Sequence, residues 1–188
     1  MSSKKKETTF TKEELKEGDL NFHYWKSLGN LIALIKSSEL KAGLILSFFG
    51  IIFSFVYQNV ERVKVSLAEF NILYALLLFW LISTLISIYH SVNTFIPRIE
   101  KKYDANLFFF EDIITKFGDV HEFSNTLLKE TMDKSKIYEQ LGQQIFINAK
   151  ITSVKFKNVN LSIRYMVISL LFLLLIILSE IGILLFYR

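Results

Sequence analysis

Few side chains in this 188-residue chain have the type and spacing that catalysis requires. The three histidines, His23, His90 and His121, lie far apart, without the short intervals that place two imidazoles on one metal. The sequence has no glycine-rich phosphate loop, no nucleophile elbow and no H-E-x-x-H run. It also lacks cysteine, which removes disulfides and thiolate metal sites. Its carboxylates are interspersed with lysines, as on solvated helix faces. The expectation is no enzyme, no metal and no cofactor. The notable ionisable residues are notable for their position. Glu39 and Lys41 stand at the entrance of a long apolar run, and His90 and Glu180 lie inside such runs. An ionisable group among lipid chains is costly and usually faces protein or water.

The elements that hold these residues follow from composition. Phe occurs 18 times, Pro once and Gly seven times, so breakers are scarce and the chain should be mostly helical. A net charge of +4 is too small to point to nucleic acid as a partner. A bilayer core of about 30 Å needs roughly 20 apolar residues of helix. Ala42–Val60, Phe70–Ile96 and Tyr165–Tyr187 all meet that length. Each is apolar nearly all round, unlike the one-sided helix of a soluble domain. The fold class expected is an all-α membrane protein. Its three transmembrane helices are an N-terminal hairpin and a C-terminal span, with a helical cytoplasmic module between spans two and three. The expected divisions are a disordered tail 1–9, an amphipathic helical region 10–41, spans 42–60 and 68–96, a helical sensor region 97–160, and a span 162–187. The N-terminal stretch "MSSKKKETTFTKEELKEGD" is polar where a cleavable leader would be apolar.

Lysines before the first span and in the central region, against few near the other two span ends, place the N-terminus in the cytoplasm and the C-terminus outside. At that interface the Lys41 stem can pack on apolar surface while its ammonium reaches headgroups. Gly43, Ser47, Gly50 and Ser54 share one face of span one, spaced for close helix approach. Ser83, Ser87, His90, Ser91 and Thr94 line a face of span two. The two faces either pack together or line a water path in an oligomer, and packing is favoured because hydroxyls also bond their own backbone. Glu180 lies about 12 Å along the axis from Arg188. It is either a protonated or outward-reaching carboxyl near the outer leaflet, or a group facing a pore or a subunit.

Between spans two and three, Pro97 breaks the helix, a basic cluster follows, and the aromatic block Phe108, Phe109 and Phe110 must be buried or touch the membrane. Asp119 reads as an N-cap with Glu122 three residues on, opening a helix whose apolar face is Val120, Phe123, Leu127 and Leu128. A further helix begins near Asp133–Ser135. No proline separates it from the last span, so it should run to about residue 187. Before span one, Phe22, Leu28, Leu31, Ile32 and Ile35 form an amphipathic helix, with Tyr24 and Trp25 as interfacial anchors.

The segments "SELKAGLILSFFGI", "FIPR", "NLFFFEDI", "EFSNTLL" and "LGQQIFINAKITSVKF" occur in this order against the three spans. In that order the chain resembles the Pycsar effector transmembrane family of bacterial anti-phage defence, over residues 25 to 187. The matching positions are Glu39, Lys41, Ala42 and Gly43, then Pro97 and Arg98, then Asn106, Phe109 and Phe110, then Gln144, Ala149 and Lys155. Glu39 stands where the family more often has Asp, and Val154 where it commonly has a basic residue. The resemblance implies an effector of the inner membrane, triggered by cyclic CMP or cyclic UMP from a neighbouring cyclase. The triggered effector impairs membrane integrity, and the cell stops growing or dies.

Under that resemblance, a cyclic mononucleotide needs a cation for its phosphate and a ring for its base. Lys41, Arg98 and Lys155 each end a span on the cytoplasmic side. They either converge on one phosphate beside Phe109 or Phe110, or each touches only headgroups. Glu39 is expected to pair with Arg98 or Lys41 at rest. The gating candidates are Glu180, Ser83, Ser87 and His90, in a homo-oligomer within the lipid bilayer. The alternatives are an effector gated by a cyclic oligonucleotide or a phage protein, and a non-toxic scaffold.

Overall fold

The structure, a computed structural model, describes residues 12–60, 71–96 and 105–186. The described residues form five helices: α1 (Lys12–Gln58), α2 (Asn71–Phe95), α3 (Phe110–Thr115), α4 (Val120–Thr131) and α5 (Lys134–Phe186). The expected tail 1–9, the turn after Val60, Pro97, Arg98 and Tyr187 lie outside the described residues. Two compact units divide the chain. One comprises Met1–Ala33 with Glu100–Lys150, the other Leu34–Ile99 with Ile151–Arg188. Both α1 and α5 contribute residues to each unit. The boundary drawn at residue 41 does not interrupt α1, because nothing near Lys41 breaks a helix.

Three of these helices, α1, α2 and α5, are long and apolar enough to cross a membrane. Within the spanning unit α1 and α2 are antiparallel. Phe95 lies beside Gly43, and Phe53 meets Trp80 edge to face at 6.0 Å. The apolar residues of α1 that this unit buries are Ala42, Ile45 and Phe49. They occupy one stripe at helical spacing. Of the small-residue face expected to pack, Gly43 alone meets the neighbouring helix, at Phe95. Ser47, Gly50 and Ser54 are exposed, and a side chain at Gly50 would meet nothing within 4 Å.

The hydroxyl face of α2 packs on α5, not on α1. Thr84 and Ser169 lie 2.6 Å apart, and Ser91 and Ser162 2.7 Å apart. Between these contacts the hydroxyl of Ser87 donates to the carbonyl of Ser162, and that of Ser162 to the carbonyl of Ser87, each at 2.8 Å. Reciprocal bonds from side chain to opposing backbone require two helices to approach closely, which only small residues permit. Thr84, Ser87, Ser91, Ser162 and Ser169 are all fully buried. Ser83 instead bonds its own helix, donating to Phe79 and Trp80 carbonyls.

In the other unit, Gly118 takes a left-handed conformation (φ 73°), which favours a residue without Cβ, and turns the chain into α4. Asp119 caps that helix, accepting from the amides of His121 and Glu122 at 2.8 and 2.9 Å. Phe123 and Leu127 turn partly inward, whereas Val120 and Leu128 of the expected apolar face are exposed. Tyr24 packs on Tyr138 at 5.3 Å and Trp25 on Phe108 at 5.8 Å, so both expected interfacial anchors have ring partners here.

Replacing Ser162 by Val should destabilise the spanning unit by about 1–2 kcal/mol, as interhelical hydroxyl bonds contribute in bilayers. Reversible unfolding of the purified protein in mixed micelles measures this. A Ser162→Val protein as stable as the parent would show that the seam contributes no net stability.

Candidate functional site: a charge clasp on three helices

Lys155 lies on α5, and only 8% of its side chain is exposed. Its Nζ donates to Glu39 Oε1 on α1 at 2.8 Å and to the carbonyl of Thr94 on α2. One ammonium thus ties all three spanning helices. Thr94 is in the last turn of α2, where carbonyls lack intrahelical partners and the helix dipole is negative. That turn has no basic residue of its own, so Lys155 supplies the cation from a neighbouring helix. Beside the clasp, Ser38 is buried and donates to Leu34, and Thr94 donates to His90.

The expected resting partners of Glu39 were Lys41 or Arg98. Among the described residues, which do not include Arg98, its partner is Lys155, 116 positions away in sequence. The physical reason lies in the helix: Lys41 follows Glu39 by two residues and therefore points to the opposite side. Lys41 is exposed, with its ammonium 5.9 Å from the Phe156 ring centroid, within cation–π range. Ala42 is fully buried, and a Cβ at Gly43 would meet the Phe95 ring at 3.7 Å, an ordinary contact. Arg98 and Pro97 lie outside the described residues.

The remaining motif residues belong to the other unit, where Asn106 builds a turn and Gln144 and Ala149 lie on α5. Asn106 is 1% exposed. Its Oδ1 accepts from the amide of Phe108, its Nδ2 donates to the carbonyl of Gln140, and its own amide donates to Asp112 Oδ2, each at 2.9 Å. Gln140 Oε1 accepts from the amide of Leu107 at 2.9 Å. Asn106 therefore replaces the backbone partners that an irregular segment lacks. Gln144 is buried and Ala149 half-buried. Of the aromatic pair, Phe109 is half-buried and Phe110 is 69% exposed, their rings 5.3 Å apart.

Among the gating candidates, Ser83 and Ser87 are buried as described. His90 stacks on Tyr165 at 6.3 Å and 12°. Glu180 borders a cavity between the spanning helices. Several residues that matter here were not singled out in the sequence: Thr84, Ser162, Ser169, Gln140 and Asp112. A signal for the first three was present. Thr84 and Ser91 are seven apart, and so are Ser162 and Ser169. Matching intervals on antiparallel helices align two pairs of hydroxyls. No His/Cys/Asp/Glu cluster suited to a metal occurs among the described residues.

Apolar spanning helices joined by buried polar contacts define a multi-pass helical membrane protein. A family model, the Pycsar effector protein domain, matches residues 23–181, and the chain belongs to that family of anti-phage effectors. No curated protein and no solved structure matches the chain.

The clasp is asymmetric, since the Glu39 side chain is 37% exposed and that of Lys155 is not. Glu39→Ala strands a buried ammonium and should cost about 3–5 kcal/mol. Lys155→Met leaves a carboxylate that water can reach, and should cost less. Unfolding of the two variants decides this. A larger loss for Lys155→Met would contradict the burial asymmetry.

Proposed function

We propose that the protein is an effector of the bacterial inner membrane, its N-terminus cytoplasmic and its C-terminus outside. Cyclic CMP or cyclic UMP from a neighbouring cyclase switches it to a membrane-disrupting arrangement, and growth arrest or cell death follows. It acts as a homo-oligomer and without catalysis. The observation that supports this most is the clasp. The group that holds three helices together is an ammonium, and a cyclic phosphodiester is an anion that competes for it. The phosphate displaces Glu39 from Lys155, with Lys41 and Arg98 as further cations at span ends. Phe109 and Phe110 are the candidates for contact with the base.

The ligand must bind the disrupted arrangement more tightly than the closed one, or it shifts nothing. Once the clasp opens, the hydroxyls of Ser83 and Ser87, with His90 and Glu180, are the polar groups available to line a leak. Membership of the Pycsar effector family favours this trigger over a cyclic oligonucleotide or a phage protein.

Cells expressing the protein should depolarise when cyclic CMP or cyclic UMP is supplied and stay polarised with cyclic AMP or cyclic GMP. Depolarisation indifferent to all four nucleotides would remove the trigger. By calorimetry on detergent-purified protein, Arg98→Ala should weaken the effective nucleotide by about 10- to 100-fold, the worth of a hydrogen bond to a charged group. An unchanged Kd would leave Arg98 as a headgroup contact. Phe110→Ala should weaken binding without changing the salt dependence.

A further inference from the structure

Along the outer side of α5, cationic and apolar residues follow one another on a single face. Lys157, Asn160 and Arg164 are all exposed. They lie three and four residues apart, so they share that face. Arg164 follows Lys155 by about two and a half turns, which sets the face opposite the clasp. Further along it, Ile168, Leu171 and Leu175 are exposed as well.

The depth of these cations follows from contacts within the spanning unit. Lys155 meets the Thr94 carbonyl, and Lys41 lies over the Phe156 ring. Ser162 bonds Ser87 and Ser91, and Tyr165 stacks on His90. Arg164 is therefore level with the His90 turn of α2 and, counted from Lys41, with the Phe48 turn of α1. There α1 exposes Leu44 and Phe48, and α2 exposes Tyr89 and Val92. Neither Ala42–Val60 nor α2 contains Asp, Glu, Lys or Arg. One depth is thus apolar on the outer sides of α1 and α2 and cationic on the outer side of α5.

These cations have no counter-ion in the fold. No acidic residue lies between Glu139 and Glu180. Neither Lys157 nor Arg164 forms an ion pair among the described residues. A charge facing the bilayer near a span end reaches for headgroups. A long helical side chain leans toward the N-terminus of its helix, which for Arg164 is the direction of Asn160 and Lys157.

We infer that this face binds an anionic phospholipid of the leaflet at the clasp end of the helices. Its phosphate accepts from Arg164 and Asn160, and Lys157 meets the net negative charge of the headgroup. One acyl chain lies along Ile168, Leu171 and Leu175. The order of the residues, polar and then apolar, is the order of the parts of a lipid. A second copy of the chain suits the face less well, because it would need a carboxylate at this depth. Among the described residues of the spanning unit, Glu39 is held in the clasp and Glu180 lies about 24 Å from Arg164 along α5. The assignment does not depend on the nucleotide trigger.

The full-length protein, purified in detergent, is titrated with dioleoylphosphatidylglycerol or dioleoylphosphatidylcholine. The two lipids share their chains and differ in net charge. Native mass spectrometry gives the Kd of the first lipid bound. Phosphatidylglycerol should bind about tenfold more tightly or better, since each basic residue at an anionic surface is worth roughly fivefold. Arg164→Gln and Lys157→Gln should each weaken it by about fivefold and leave phosphatidylcholine unchanged. Arg164→Lys, which keeps the charge, should retain most of the affinity. Lys129→Gln, an equal loss of charge at an exposed position of α4, should change neither lipid. Glycerophosphoglycerol, the headgroup without chains, should not displace the lipid. Equal affinity for the two lipids overturns the site, and so does a loss in Lys129→Gln as large as in Arg164→Gln. Displacement by the headgroup alone overturns the acyl contact. An oligomer that Arg164→Gln breaks up, with phosphatidylglycerol affinity unchanged, gives the face to a second copy and overturns the lipid.

Discussion

A lysine whose side chain is almost wholly buried constrains every helix around it. Burying such a charge without partners costs several kcal/mol, far more than one surface ion pair returns. Lys155 can stay buried only if a carboxylate and a free carbonyl both arrive at its Nζ. That requirement ties the depth of Glu39 on α1 to the end of α2, because Thr94 offers its carbonyl only in a last turn. The register of three helices thus meets at a single side chain of α5.

Away from the clasp, the spanning unit is held by a different kind of contact. In lipid, apolar side chains gain little by leaving the bilayer for a helix interface, so packing and hydrogen bonds decide which faces meet. The α2–α5 seam answers that condition with Ser87 and Ser162 bonded to each other's backbones, and with Thr84 and Ser91 bonded to Ser169 and Ser162. On α1 the buried stripe is Ala42, Ile45 and Phe49, shape packing with one small residue against the partner. The three interfaces therefore differ in chemistry. One is a hydroxyl seam, one is aromatic and aliphatic packing, and one carries an ion pair.

These differences set what could be read from the residues alone. Apolar runs announce their length, and the absence of proline between residues 134 and 186 announces a continuous α5, because both signals are local. The Asp119 cap is local as well. The choice of partner is not. A buried serine satisfied by its own helix, as Ser83 is, and one satisfied by a neighbour, as Ser87 is, look alike in sequence. Glu39 illustrates the same limit. Nearby basic residues are the natural guess for its partner, yet helix periodicity turns Lys41 away, and the pairing runs to a residue 116 positions on. Asn106 stands out in the sequence only as part of a motif, which leaves its role open. Its hydrogen bonds show a side chain that completes the backbone of an irregular turn, which motif matching cannot separate from recognition.

The same chemistry bears on how a membrane effector can stay closed until triggered. A helix interface held by apolar burial in water opens only at the cost of exposing surface, but an interface held by hydroxyls in lipid opens at little cost if the hydroxyls find other partners. Serine and threonine always have one within reach, the carbonyl three or four residues back on their own helix. The α2–α5 seam is therefore replaceable, contact by contact, without leaving a polar group stranded. Lys155 has no such local substitute: its charge must be met by another carboxylate, by water or by an anion. On the proposed reading, this makes the clasp the element that separates two arrangements of similar energy and makes an anionic nucleotide an apt trigger. The seam can yield once the charge has a new partner, and until then the charge keeps the helices together.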